Sequence, residues 1–181
     1  MNNDDRTLIA RVLTANDQRA YRELVNRYQS QLRYSLRQLT GWDEALADDL
    51  AQETFIKAFA NLGSFRGDAN FYTWLYRIAY RQFASYYRSR KPTEPLSDNE
   101  DDNDSHNPAG ETDLHRDISR ALAQLPPEQA MALHLHLQRE HTHQEISQIM
   151  DSPLGTVKSH IQRGREKLKV LLSAWQTTVT P

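Results

Sequence analysis

The sequence predicts an all-α protein: two small helical domains joined by a flexible acidic linker. Three observations lead there. Valine and isoleucine together number 12 of 181 residues, and no run alternates apolar with polar side chains as a half-buried strand would. Apolar residues instead recur three and four positions apart on both sides of the middle of the chain. Between Lys91 and Asp113, eight acids stand against one base, among Pro92, Pro95, Pro108 and Gly110. Such a stretch cannot bury enough surface to offset its ordering entropy, so it reads as a self-repelling tether. The domains are therefore drawn at residues 1–91 and 114–175, with the linker at 92–113.

The first half begins with Leu8, Ile9, Val12 and Leu13, the apolar side of a short helix. A longer helix follows, with Tyr21, Leu24, Val25, Tyr28, Leu32, Leu36 and Leu39 on one side, ending near Gly41. A third runs from about Glu44 to Leu62, and a fourth from about Phe71 to Arg88. In the second half, Ile118, Leu122 and Leu125 precede Pro126-Pro127, which break one helix and start the next.

Composition narrows the function. The net charge is -2, yet outside the tether the chain carries an excess of five positive charges. Cysteine is absent, which excludes disulfides, thiolate catalysis and Cys-ligated zinc. No apolar run approaches the ~18 residues of a membrane span. The polar start, Met1-Asn2-Asn3-Asp4-Asp5, shows no secretory signal, so a soluble cytoplasmic protein is expected.

Thr142 to Leu172 is the most informative stretch. Thr142 with Glu145 is a capping box that starts a helix whose apolar side is Ile146, Ile149 and Met150. Asp151-Ser152 makes a turn, with Ser152 placed to cap the next helix and Pro153 at its first position. There Leu154, Val157, Ile161, Leu168, Leu171 and Leu172 share a face. The other side offers Thr156, Lys158, Ser159, Gln162, Arg163, Arg165 and Lys169. A short helix, a tight turn and a basic helix form a helix-turn-helix whose second helix fits a major groove. On periodicity alone, a solvated basic helix at the end of a bundle fits the same pattern.

Eight of the 16 aromatic residues lie between Phe71 and Tyr87, interleaved with Arg77 and Arg81 and followed by Arg88. Phe71, Leu75, Ile78, Ala79, Gln82 and Tyr86 lie on one helical side, the expected core. Tyr72, Tyr76, Tyr80 and Tyr87 form a second stripe and the arginines a third, a stacking surface flanked by phosphate anchors as single-stranded nucleic acid requires. Core packing and cation–π pairing are the structural alternative. In the third helix, Asp48, Asp49, Gln52, Glu53 and Ile56 share a side opposite Leu50, Phe55, Ala58 and Phe59. Alone, this is an acidic face at a helix N-terminus, where negative charge is favoured.

The strings themselves say more. Pro153-Leu154-Gly155-Thr156-Val157-Lys158-Ser159-His160, continuing through Arg163-Gly164-Arg165-Glu166-Lys167-Leu168, resembles region four of extracytoplasmic-function (ECF) sigma factors. Leu125-Pro126-Pro127-Glu128-Gln129 and Gln144-Glu145-Ile146-Ser147 fit the same pattern. Ser64-Phe65-Arg66-Gly67-Asp68-Ala69, then Phe71-Tyr72-Thr73-Trp74-Leu75-Tyr76-Arg77-Ile78-Ala79, resembles region two. Asp48-Asp49-Leu50-Ala51-Gln52-Glu53-Thr54-Phe55 resembles the sigma segment that docks on the clamp helices of core RNA polymerase. The resemblance runs from about Leu8 to Leu172, with the motifs in family order.

It implies that the last helix reads the -35 element. Lys158, Ser159 and Gln162 would lie at base edges, and Thr156, Arg163 and Arg165 on phosphates. It implies that Phe65, Arg66, Asp68 and Asn70 line a pocket for an unpaired -10 base. Tyr72, Tyr76, Arg77, Tyr80, Arg81 and Arg88 would hold the melted strand. Asp48, Asp49, Gln52, Glu53 and Ile56 would meet core polymerase. The linker would thread a positively charged channel of the polymerase. The implied partners are core RNA polymerase, promoter DNA and an anti-sigma protein. The chain departs from the family at Arg81, often Asn, at Ser85, often Asp, and at Leu46, usually an acid.

Four of the seven histidines cluster: His134, His136, His141 and His143. Their spacing matches no trusted metal motif; they are read as partly exposed, with a pH- or metal-sensitive region four as the alternative. No metal, cofactor or catalytic constellation is anticipated, so the chain is not read as an enzyme. The competing functional reading is a stand-alone helix-turn-helix regulator that binds duplex DNA without polymerase.

Overall fold

A computed structural model of the protein describes residues 3–89 and 113–178. Among these residues there is no strand, only helices and their connections. The first group comprises α1 (Asn3–Ala15), α2 (Gln18–Leu39), α3 (Glu44–Ala60) and α4 (Phe71–Ser89), with a short 3₁₀ turn at Leu62–Ser64. The second comprises α5 (Asp113–Ala123), α6 (Pro127–Leu133), α7 (His143–Met150) and α8 (Leu154–Thr178). A single π turn, His134–Gln138, continues α6. The acidic linker expected over 92–113 lies, apart from Asp113, outside the described residues.

Caps set where the first-group helices begin. Asp17 accepts from the amides of Arg19 and Ala20 at the start of α2, and the Arg11 guanidinium beside it lowers its pKa. Asp43 accepts from the Leu46 amide at the start of α3. Gly41, at φ +67, turns the chain out of α2, and a Cβ there would meet the Ala123 Cβ at 3.1 Å. The same position therefore needs both a left-handed backbone and a close approach to α5.

The first core gathers Leu24, Leu32, Leu36, Leu39, Leu62, Phe71 and Leu75, each almost wholly buried. Asp5 is also buried, held by Arg27 Nη1 at 2.6 Å and by the Tyr28 hydroxyl at 2.6 Å. That pairing satisfies the charge which would otherwise forbid burial, and it fastens α1 to α2. The second core is built from Met131, Leu133, Leu135, Ile146, Ile149, Val157 and Ile161. Gly164 lets α8 approach α6 closely: a Cβ there would lie 2.7 Å from Leu133 Cδ1.

Four expectations change. Tyr76 belongs to the core, only 2% exposed, with its hydroxyl 2.7 Å from Ser35 Oγ and a second bond donated to the Gln31 carbonyl. The tyrosine stripe is broken there because the helix turns position 76 toward α2. His134 is fully buried rather than partly exposed. Ser152 does not cap α8; its hydroxyl donates back to the Met150 carbonyl at 3.1 Å, and Leu154 is exposed rather than part of the apolar face.

Candidate nucleic-acid interface

The helix-turn-helix forms as the capping box requires. Thr142 Oγ1 accepts from the Glu145 amide, and Glu145 Oε2 accepts from the Thr142 amide at 2.8 Å. Those bonds hold the Glu145 carboxyl below its ordinary pKa. At the other end of α7, Asp151 adopts a left-handed conformation, φ 52, and its amide donates to the Ser147 carbonyl. That single left-handed residue redirects the chain into α8. Val157, Ile161, Gly164 and Leu168 face inward. Thr156, Lys158, Gln162, Arg163 and Arg165 are exposed, while Ser159 is half-buried. The basic side of α8 is thus displayed as a row along one helix, the form that enters a major groove.

In the first group, the loop before α4 closes a cavity of about 510 Å³ whose walls include Phe65, Arg66, Asp68, Trp74, Arg77 and Arg81. Phe65 is half-buried, edge-on to Phe71 and Trp74 at centroid separations of 5.8 and 5.5 Å. Arg66, Asp68 and Asn70 are exposed. Asn70 also starts α4, its Oδ1 accepting from the Thr73 amide at 2.7 Å. The cavity therefore pairs an aromatic wall with cations on its rim, which suits a flat base attached to phosphate. Trp74 and Lys57 line it too, and neither was expected there. Trp74 sits three residues after Phe71 on α4; Lys57 comes from α3, a neighbour only the fold provides.

Known proteins are similar to this chain over most of its length. The family pattern for Sigma-70 region 2 matches residues 24–93, and that for Sigma-70, region 4 matches residues 115–168. The chain belongs to the ECF sigma factors. It is 33% identical to the ECF RNA polymerase sigma-E factor of Haemophilus influenzae over 179 residues, covering 91% of this chain and 93% of that one. It is 35% identical to the sigma-E factor of Escherichia coli strain K12 over 178 residues, covering 91% and 92%. Among solved structures it resembles CnrH in complex with the cytosolic domain of CnrY, at TM-score 0.68 and 26% identity, covering 95% of this chain and 99% of that one. It also resembles the sigma factor RpoE in complex with the anti-sigma factor NepR from Bartonella quintana, at TM-score 0.66 and 26% identity, covering 84% and 96%.

In this sigma factor the two regions touch, and they do so on the surface expected to meet the -10 strand. Arg77 Nε donates to the Gln148 carbonyl at 2.9 Å, and Arg81 Nη2 reaches Asp151 Oδ2 at 3.3 Å. Both acceptors lie at the C-terminal end of α7, where unpaired carbonyls carry partial negative charge. Half-buried Tyr72 accepts from Arg139 Nε at 3.1 Å and stacks near His141 at 5.5 Å. Tyr72 also packs on Tyr76, with centroids 4.2 Å apart. Tyr80 is half-buried, and burial raises its pKa. Arg88 is exposed, its Nε donating to the Ala84 carbonyl.

On α3 the acidic set divides. Asp49, Gln52 and Ile56 are exposed, Ile56 at 55%. Glu53 pairs with Lys57 at 3.2 Å. Asp48 turns instead toward α2, with Oδ1 3.7 Å from both Arg33 and Arg37. The expected docking face therefore keeps Asp49, Gln52 and Ile56 free in solvent, while Asp48 is committed to its own domain. Exposed Phe59, edge-on to Tyr21, extends the same helix.

Proposed function

We propose that this ECF sigma factor initiates transcription through three successive binding events and no bond chemistry of its own. The chain divides at 1–91, 92–113 and 114–175. Asp49, Gln52, Glu53 and Ile56 dock on the clamp helices of core RNA polymerase, with Asp48 shaping the face through its arginine pairs. Lys158, Ser159 and Gln162 then meet base edges of the -35 duplex, and Thr156, Arg163 and Arg165 its phosphates. Finally Phe65, Arg66, Asp68 and Asn70 receive an extruded -10 base, and Tyr72, Arg77, Tyr80, Arg81 and Arg88 hold the strand. Opening is driven by binding: unstacking costs a few kcal/mol per base, which stacking and phosphate contacts offset.

Tyr72, Arg77 and Arg81 are engaged by region four in the free protein, so core polymerase must separate the domains before the strand can enter. An anti-sigma partner would favour the closed pair. The protein acts in the cytoplasm, where the polymerase is.

The observation that carries this reading is that one chain presents a basic groove-reading helix, an aromatic-walled cavity with arginines at its rim, and an exposed acidic–apolar helix face. A stand-alone regulator would need only the first. Run-off transcription with purified core polymerase on a promoter library tests it. Initiation at defined start sites that depends on the chain is expected; its absence with folded protein and an intact template pool would overturn the reading. Failure to co-purify with core polymerase would favour the stand-alone regulator.

A further inference from the structure

The cavity before α4 has one wall that the reading above leaves unused. Lys57, from the last turn of α3, and Gln82, from α4, both line it and are both half-buried. Lys57 Nζ donates to Gln82 Oε1 at 2.5 Å and lies 3.2 Å from Glu53 Oε1. An ammonium can only donate, so the oxygen of the Gln82 amide must face Lys57 and its NH2 group must point elsewhere. Lys57 thereby fixes which end of the amide is left over. Among the described residues, Gln82 Nε2 has no protein acceptor. Two N–H donors are therefore what Gln82 offers to a guest in the cavity.

The other polar groups on the walls sort by burial. Arg77 is half-buried and is likewise donor-only. Thr73 is buried, with a hydroxyl that either donates or accepts. The side chains that carry spare oxygen acceptors, Asn61, Ser64 and Asp68, are exposed. Phe65 and Trp74, both half-buried and 5.5 Å apart between centroids, supply the flat apolar surface. The sheltered part of the cavity thus sets donors beside an aromatic wall and leaves the acceptors to its solvent-facing side.

We propose that Gln82, oriented by Lys57, selects an extruded base that presents two adjacent hydrogen-bond acceptors: cytosine through O2 and N3, or guanine through O6 and N7. The proposal rests on this cavity being the site of the extruded -10 base. Gln82 touches the base; Lys57 is a positioning residue that acts through the amide. Adenine sets its N6 amino group beside both N1 and N7, and thymine sets N3–H between its two oxygens. Each brings a donor against a donor, and in a half-buried site neither group regains water or a partner. Stacking on Phe65 and Trp74 is sequence-tolerant and serves all four bases alike. The choice among them therefore belongs to the amide.

The test uses holoenzyme, reconstituted from the full chain and core polymerase, on forked -10 templates whose unpaired positions carry each base in turn. One position should favour cytosine or guanine over adenine and thymine by about tenfold, the size of one bidentate base contact. Gln82→Glu keeps an acceptor for Lys57 but replaces the donors with a second acceptor, so adenine should gain there over cytosine and guanine. Lys57→Leu frees the amide to turn either way and should level the preference, and Lys57→Arg should restore it. A merely structural lysine would instead lower binding of all four bases equally. Templates with 3-deazacytosine or 7-deazaguanine, each missing one of the two acceptors, identify which base is taken: the analogue that loses the preference names it. Strand binding with no position that prefers cytosine or guanine overturns the proposal. So does a Gln82→Glu or Lys57→Leu chain that keeps the wild-type ranking, or a preference that survives both analogues. Holoenzyme that binds the duplex part of the fork but gains nothing from any unpaired base overturns the reading of the cavity itself, an outcome distinct from binding without preference.

Discussion

Arg81 of α4 and Asp151 of the helix-turn-helix turn meet at 3.3 Å across the contact between regions two and four. Both side chains are well exposed, so the pair is weak by itself, roughly 0.2–1 kcal/mol. Its importance is positional: it covers a cation expected to hold DNA, and Arg77 beside it is covered by Gln148 in the same way. Asp151→Asn preserves the left-handed turn while removing the charge. The free chain should then bind a single-stranded -10 oligonucleotide up to about fivefold more tightly, read by fluorescence anisotropy at low salt. Unchanged affinity would mean that the contact does not compete with the strand.

Arg77→Glu with Arg81→Glu breaks the same contact but also removes the proposed phosphate anchors. Domain opening alone would raise strand binding, whereas loss of anchors lowers it. Open-complex formation should disappear while the affinity for core polymerase stays intact. Permanganate reactivity of promoter thymines reports the first and a core titration the second; retained reactivity would reject the strand-holding role.

Lys158→Ala leaves α8 folded, since the side chain is exposed and alanine favours helix. If Lys158 reads a base edge, discrimination at one -35 position should fall by about 1–3 kcal/mol. If it touches only phosphate, binding should weaken evenly across sequences. A -35 mutation profile identical to wild type would contradict base readout.

Asp49 and Asp48 are neighbours with different expected effects. Asp49→Arg should weaken holoenzyme assembly, because its carboxylate is exposed on the proposed docking face. Asp48→Asn should lower the melting temperature modestly through loss of the Arg33 and Arg37 pairs. Titration against core separates the two; equal loss of core affinity in both would undo the distinction.

His134 predicts a pH dependence of stability. Its burial lowers the pKa from 6.5 to about 4, and Nδ1 is already bonded to Gln138 Oε1 at 2.6 Å. Nε2 is buried without a hydrogen-bond partner, so protonation there would place an unpaired charge in the core. The folded pKa lies below the unfolded one, so the unfolded chain binds more protons between them. Stability is therefore full above about pH 6.5 and falls as pH drops toward 4, by roughly 3 kcal/mol at most. His134→Leu should flatten urea-unfolding midpoints across that window; an unaltered pH profile would assign the loss to other groups.

How much was legible in advance depends on the distance over which the information acts. Helix positions could be read because apolar spacing, the Thr142–Glu145 box and the Pro126-Pro127 break act within a few residues. The motif strings were equally local, which is why both sigma regions could be located from them. Tyr76 and Asp48 could not be placed that way. Each sits on a stripe that the wheel offers to solvent, and only α2, packed against it, turns one into core and ties up the other.

The amino-acid sequence by itself determined an all-helical pair of domains, a basic C-terminal helix and membership of the ECF sigma factors, because each is written in short-range pattern. Tertiary structure alone decided that the end of α7 and the turn after it cover Arg77 and Arg81, that His134 is buried, and that His136 and His143 lie together beside Lys158. Those facts depend on residues up to 71 positions apart meeting through packing. A helical period specifies which way a side chain points, but not what stands opposite it.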